Sequence, residues 1–120
     1  PAAPPPPWRP GPDAVALVAP AGRRGSALAE WLGAVPLEGA DQLSTGTVVG
    51  GSPEEWLAHW PLLTAARADA DLVVDTAVAG EYRAVTARRE LPPYAMPGSG
   101  RGWLVRAGEP ARRILLGDRL

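Results

Sequence analysis

A short turn bounded by glycines holds the residue types that come nearest to a binding site. It reads Gly22-Arg23-Arg24-Gly25-Ser26 and follows an apolar run, residues 14–19, that predicts a buried strand. Ser26 is placed to cap a helix over residues 26–32. Because the start of a helix offers N–H groups and a partial positive charge, we predict an anion-binding site at this turn. The alternative is an ordinary strand-to-helix turn.

The composition of the chain limits the chemistry open to this turn. A P-loop needs a longer glycine spacing and a lysine that reaches the β- and γ-phosphates, whereas all 12 basic residues here are arginine. Cysteine is absent and His59 is the one histidine, so we predict no metal site. No serine lies in the strand–turn–helix motif of a nucleophile elbow. We therefore predict no catalytic residue and no cofactor, and the composition favours a non-enzymatic role.

A second candidate is the aspartate that ends the apolar run Leu72-Val73-Val74. With Asp75, this run resembles the apolar strand ending in aspartate that holds Mg²⁺ in P-loop enzymes. An aspartate at the end of a strand also commonly caps the next helix or turn with its carboxylate. Because the chain has no P-loop, we favour the capping interpretation.

Arginines at the end of a predicted helix, residues 77–89, form a third candidate. Arg88 or Arg89 would act as an arginine finger if it reached a nucleotide phosphate on a neighbouring subunit. The other interpretation is an arginine that is solvated or paired with a carboxylate such as Asp75. A trans-acting role for these two arginines is therefore a hypothesis with a structural alternative.

The elements that must position these residues alternate along the chain. Apolar runs predict strands, and amphipathic spacing predicts the helices between them. The predicted strands are residues 14–19, 47–50 and 72–74, and the predicted helices are 26–32, 53–68 and 77–89. Two further strands, 103–106 and 112–116, are joined by a hairpin turn. This order predicts an α/β fold, with a small, mainly parallel sheet, flanking helices and a C-terminal β-hairpin.

The clearest helix start is Ser52-Pro53-Glu54-Glu55. It has the spacing of a capping box, with proline in the first turn. Trp56 and Trp60 share one face of the helix that follows, and we predict that both pack on the sheet. Pro61 lacks an N–H donor, so it should kink this helix or divide it after Trp60.

Length and charge bound the remaining possibilities. The 120 residues fit one domain, which we place at residues 13–120, after a proline-rich arm or linker at residues 1–12. Trp8 in that arm suits docking on a partner or folding back onto the domain. A net charge of −1 supplies no basic field for nucleic acid, and no apolar run approaches the roughly 20 residues of a membrane span. We expect a cytoplasmic protein with no direct nucleic-acid contact and no membrane insertion.

Four sequence segments between residues 46 and 116 carry a resemblance to a known family. They read G-G-S-P-E-E-W-L-A-H-W-P-L-L, D-L-V-V-D, E-Y-R-A-V-T-A-R-R-E-L-P-P-Y and G-R-G-W-L-V-R-A-G-E-P-A-R-R-I-L-L. Together they resemble the C-terminal segment of FtsK/SpoIIIE-type ATPases of actinobacteria. Members of this family are multi-domain, RecA-like motors that move DNA or drive type VII secretion.

The resemblance implies a limited function, because the residues of the motor's chemistry are missing. The ATP-binding loop and its lysine have no counterpart in this sequence, and Asp75 falls too late in the segment to match the family's Mg²⁺-binding strand. The resemblance therefore implies a degenerate domain, or the last part of a motor's final domain, that contributes packing and subunit contacts rather than hydrolysis.

Three functions follow from these observations. The leading one is a non-catalytic, FtsK/SpoIIIE-like domain that contacts a protein partner or other subunits of a larger assembly. The second is a small nucleotide- or anion-binding protein that uses the turn at residues 22–26. The third is a free-standing protein-interaction module.

Overall fold

The computed structural model describes residues 8–39, 43–93 and 100–116. Residues 1–7 of the predicted proline-rich arm lie outside that part of the chain. One sheet contains the strands β1 Val15–Val18, β2 Val35–Pro36, β3 Val48–Gly51, β4 Asp71–Asp75, β5 Arg101–Val105 and β6 Arg112–Leu115. The α-helices are α1 Arg23–Leu32, α2 Pro53–Ala58, α3 Trp60–Asp69 and α4 Tyr82–Thr86. Two 3-10 helices, Leu37–Gly39 and Thr76–Glu81, complete the described elements.

The sheet is mixed. Its strand order is β2-β3-β1-β4-β5-β6, and the first four strands are parallel to one another. β5 pairs antiparallel with β4, and β6 pairs antiparallel with β5. The predicted α/β class is therefore confirmed, whereas the prediction of a mainly parallel sheet is wrong.

A short connection explains the antiparallel pairing of the last two strands. The connection from β5 to β6, residues 106–111, is too short for the crossover that a parallel strand requires. The two strands therefore pair as a hairpin, although β5 begins and ends earlier than predicted.

The helices cover both faces of the sheet. Leu28 and Leu32 of α1 pack with Val15 and Leu17 on one face. The other three helices pack on the opposite face, where the buried residues include Trp56, Leu62, Leu63, Tyr82 and Val85. Since β1 is also paired on both edges, all four of its residues are buried, as expected for a central parallel strand.

The predicted start of α2 is confirmed and its end is different. The Ser52 hydroxyl accepts from the Glu55 N–H at 3.2 Å, and the Glu55 carboxylate accepts from the Ser52 N–H at 2.9 Å. The helix breaks at His59, one residue before the predicted position, because Pro61 then lies in the first turn of α3, where no N–H donor is needed.

This break separates the two tryptophans that were predicted to share one face. Trp56 is fully buried, and its indole N–H donates to the carbonyl of Leu17 at 2.8 Å. Trp60 begins the next helix, where it is 57% exposed and lies under the guanidinium of Arg67. The prediction that Trp60 packs on the sheet is therefore wrong.

The predicted helix 77–89 is a 3-10 helix followed by the short α4. Ala87, with φ of 60°, adopts the left-handed conformation and ends the helix. The guanidinium of Arg67 donates to the carbonyls of Ala84 and Val85, each at 2.8 Å. These bonds satisfy carbonyls at the end of the helix that a longer helix would have used. Residues 88 and 89 consequently lie beyond the helix.

Trp8 folds back onto the domain, one of its two predicted alternatives. It is half-buried and packs against the face that carries α1. Its backbone N–H donates to the carbonyl of Leu115 at 2.9 Å. The part of the arm that the structure describes is thus attached to the edge of β6.

Candidate functional site

The glycine turn leads directly into α1 and differs from the predicted arrangement in where the helix begins. The helix starts at Arg23, after Gly22 with φ of 98°. The Ser26 N–H donates to the carbonyl of Gly22 at 3.0 Å, so Ser26 belongs to the helix and does not cap it. A positive φ suits glycine, and this residue lets the chain turn three residues earlier than the sequence suggests.

Gly25 allows α1 to approach the end of β1 closely. A Cβ atom at this position would lie 1.8 Å from the carbonyl oxygen of Pro20. That distance is far inside van der Waals contact, so any side chain here would push the helix away from the strand. The glycine pattern of the turn therefore has a packing role that is independent of any ligand.

A cavity of about 310 Å³ opens beside this turn. It lies between the ends of β1 and β3, and its walls include Gly22, Gly25 and Ser26 from the predicted anion site. Arg23 is exposed nearby, and Arg24 extends towards β4. The structure thus brings three of the five predicted residues to one cavity, and anion binding there stays a prediction.

Arg24 forms an ion pair with Asp75 across the ends of two strands. Its Nη2 lies 2.7 Å from Oδ1 of the carboxylate, and its Nε lies 3.2 Å from Oδ2. The arginine side chain is 35% exposed, whereas the aspartate side chain is 2% exposed. This bidentate geometry, with two N–H···O hydrogen bonds, is the strong form of an arginine–carboxylate interaction.

The carboxylate of Asp75 also caps the turn after β4. Oδ1 accepts from the N–H of Ala77 at 2.9 Å, at the start of the 3-10 helix. The capping interpretation of this residue is confirmed. The sequence did not indicate that Arg24 is the partner of Asp75. The two residues are 51 positions apart, and no local pattern links them.

The position of this ion pair follows from the strand order. The chain goes from β1 to β2 and β3 on one side, then crosses to β4 on the other side of β1. Open α/β sheets bind ligands at such a switch point, outside the carboxyl ends of the strands. Arg24 follows β1 and Asp75 ends β4, so their ion pair spans the switch point.

A second ion pair fixes the other end of β4. Arg106 donates to the two carboxylate oxygens of Asp71 at 2.8 and 3.2 Å. The hydrogen bond to Asp71 raises the pKa of Arg106, although burial opposes this shift. Both aspartates that flank the buried run of β4 are therefore held by arginines from other elements, and both have a structural role.

The two arginines of the trans-acting hypothesis have different surroundings. The guanidinium of Arg88 donates to the carbonyl of Arg106, and its backbone N–H donates to the Thr86 hydroxyl. Arg88 is therefore attached to the start of the β5–β6 connection. Arg89 is exposed, and its trans-acting role stays a hypothesis.

His59 lies at the opposite end of the sheet from the ion pair of Arg24. It lines a second cavity, of about 380 Å³, together with Asp13 and Asp69.

Within residues 8–39, 43–93 and 100–116, no three histidine or acidic side chains are grouped so that they could hold a metal ion. Over the same residues, every helix is too short or too polar to span a lipid bilayer.

The buried side chain of Tyr82 gives the stability of the fold a testable pH dependence. It is 1% exposed, and its ring meets the ring of Trp103 edge to face at 5.6 Å. Burial raises the pKa of the Tyr82 hydroxyl, Arg88 opposes this shift, and Glu90 adds to it.

We expect the raised pKa of Tyr82 to make the fold less stable in alkali. The unfolded chain releases this proton at about pH 10, so the free energy of unfolding should fall as the pH rises from there through the higher folded pKa. Urea denaturation at a series of pH values measures this fall. The Tyr82→Phe variant should lose less stability over the same interval, and parallel losses in the two proteins would contradict the assignment.

Comparison of the chain with protein-family models, with curated proteins and with solved structures gives no match.

Proposed function

We propose that this chain is a non-catalytic, FtsK/SpoIIIE-like domain that works through contacts with other proteins. The observation that supports this most is the ion pair of Arg24 and Asp75 at the switch point of the sheet. Nucleotide-binding α/β proteins keep that position for the ligand. Here, side chains of the chain itself fill it.

The hydrogen bonds of Asp75 argue against a metal-binding role for this carboxylate. Its two oxygens accept two bonds from Arg24 and one from the N–H of Ala77. A Mg²⁺ ion would need an oxygen of this carboxylate, and Arg24 would have to leave it. The geometry therefore favours a carboxylate that holds α1 against β4 over one that holds a metal.

Binding of a small anion at the glycine turn is the second candidate function. One observation favours it: Gly22, Gly25 and Ser26 line the same cavity at the start of α1. The helix start gives this cavity a partial positive charge. Such a site would take a small anion, since the ion pair at the switch point lies where the rest of a nucleotide would extend.

Sedimentation velocity tests the proposed function. The purified chain is mixed with an FtsK/SpoIIIE-type motor protein encoded in the same genome, with an unrelated RecA-like ATPase as the control. We expect the chain to sediment with the first protein and not with the second, whether or not ATP is present. Separate sedimentation from the motor at micromolar concentrations of both proteins would contradict the proposal.

A further inference from the structure

Among the strands that the structure describes, β6 forms the longer of the two edges of the sheet. The opposite edge, β2, has 2 residues, one of which is Pro36, and such short, proline-containing edges resist pairing. β6 has 4 residues and no proline. An extended segment from another protein would therefore find more backbone to pair with at β6.

The register of the hairpin shows which backbone groups face outwards. Leu116 donates its N–H to the carbonyl of Gly100, and Ile114 lies opposite Gly102. Because hydrogen-bonded and non-bonded pairs alternate between antiparallel strands, the backbone groups of Arg113 and Leu115 point away from β5. These are the groups available to an added strand.

One of these outward groups is already occupied by the arm. The carbonyl of Leu115 accepts from the N–H of Trp8, as it would from a residue of an added strand. Arg9, the next residue, lies over the ring of Trp31 at 4.7 Å, and the indole N–H of Trp31 donates to the carbonyl of Leu116. The arm is thus seated on the edge of β6 and on α1.

The sequence of the arm from Trp8 to Pro12 limits this part of it to a single bond of this kind. In an added strand, the residues that face the neighbouring strand recur at every second position. Counting forward from Trp8, those positions are Pro10 and Pro12, and proline has no N–H to donate. This described part of the arm therefore covers the edge with one backbone N–H, where an ordinary strand would supply several.

The charge of the edge indicates which kind of segment would bind better. Arg112 and Arg113 lie on β6, Arg101 lies on β5, and neither strand contains an acidic residue. The two ion pairs observed within the described residues use other arginines. Pairing of β6 with β6 of a second copy would bring the arginines of two copies close together, which is unfavourable. The edge is complementary to an acidic segment.

We propose that the edge of β6 is a strand-addition site for an extended, acidic segment of a partner protein, and that the arm at Trp8 occupies this edge until the partner displaces it. The inference rests on the proposed function in that it assumes a role in protein contacts. Backbone hydrogen bonds to Arg113 and Leu115 would give affinity, and carboxylates beside the arginines would give selectivity.

Amide chemical shifts measured by NMR test this site in the full chain. The probe is an end-blocked peptide of alternating glutamate and valine, and the matched control peptide has lysine in place of glutamate. We expect the glutamate peptide at millimolar concentration to shift the amides of Arg113 and Leu115 more than those of Arg112 and Ile114, which face β5. Added salt should weaken this binding.

Three variants separate the contributions of the arm, the backbone and the charge. Trp8→Pro removes the donor of the arm and should tighten peptide binding by up to about tenfold. Arg113→Pro removes an outward N–H without removing a bond between β5 and β6, and it should abolish binding. Arg113→Val keeps that N–H and removes the charge, so it should weaken binding only in part.

The proposal fails if the glutamate peptide leaves the amides of Arg113 and Leu115 unshifted in both wild type and Trp8→Pro. It also fails if the lysine peptide binds equally well. Its failure can be told apart from that of the proposed function. If the motor protein still binds the Arg113→Pro variant as tightly as it binds wild type, the edge is not the contact but the role in protein contacts stands.

Discussion

Replacing Arg24 with methionine should lower the free energy of unfolding by about 3 kcal/mol, because it leaves the buried carboxylate of Asp75 without its partner. Breaking a buried ion pair from one side has an effect of about 3–5 kcal/mol. The lower end applies because the arginine side chain is 35% exposed and water screens part of the interaction. Methionine keeps most of the apolar stem, so the loss reports mainly on the charge.

Arg23→Met is the matched control for this substitution. Arg23 is the preceding residue on the same helix, but it is exposed, so its replacement should change stability by no more than about 0.5 kcal/mol. Urea denaturation of both variants gives the comparison. Equal stabilities for the two variants would mean that the ion pair does not hold α1 to the end of β4.

Replacing Gly25 with alanine should lower the free energy of unfolding by at least as much. The new Cβ would lie 1.8 Å from the carbonyl oxygen of Pro20 and 3.0 Å from its carbon. Both atoms belong to the backbone, so the conflict is relieved only by a shift of α1. That shift would disturb the packing of Leu28 and Leu32 as well as the contact of Arg24 with β4. We expect a loss of about 3 kcal/mol or more.

The effect of Gly25→Ala opposes the intrinsic preference of the helix, which favours alanine over glycine by up to about 1 kcal/mol. Gly80→Ala is the control, since a Cβ at Gly80 would meet nothing within 4 Å and its φ is not positive. Thermal denaturation should show a large loss for the first variant and little change for the second. An unchanged or raised melting temperature for Gly25→Ala would contradict the close approach of α1 to β1.

Local signals predicted the parts of the fold that depend on neighbouring residues. The buried strands β1, β3 and β4 follow from apolar runs, and the capping box of Ser52 and Glu55 follows from residue types at fixed spacing. β2 was missed because a strand of 2 residues has no detectable alternation. The mixed sheet was missed because strand direction depends on the path of the connections between strands, and no sequence periodicity reports that path.

The candidate site could be predicted only in part, for a similar reason. The glycine turn is a contiguous motif, and its position between β1 and α1 follows from the sequence around it. The partner of Asp75 lies 51 residues away and the partner of Asp71 lies 35 residues away. Each of these pairs exists because strand order brings distant segments together. Aspartates at both ends of an apolar run were a signal that two buried partners were needed.

A calorimetric titration of the full chain with ATP and Mg²⁺ tests the central claim most directly. With Arg24 and Asp75 paired at the switch point, we predict no saturable heat at millimolar nucleotide, in wild type or in a double variant that carries Arg23→Ala and Ser26→Ala. Saturable binding by wild type that is lost in the double variant would contradict a non-catalytic domain that acts through protein contacts, and it would establish the glycine turn as a nucleotide site.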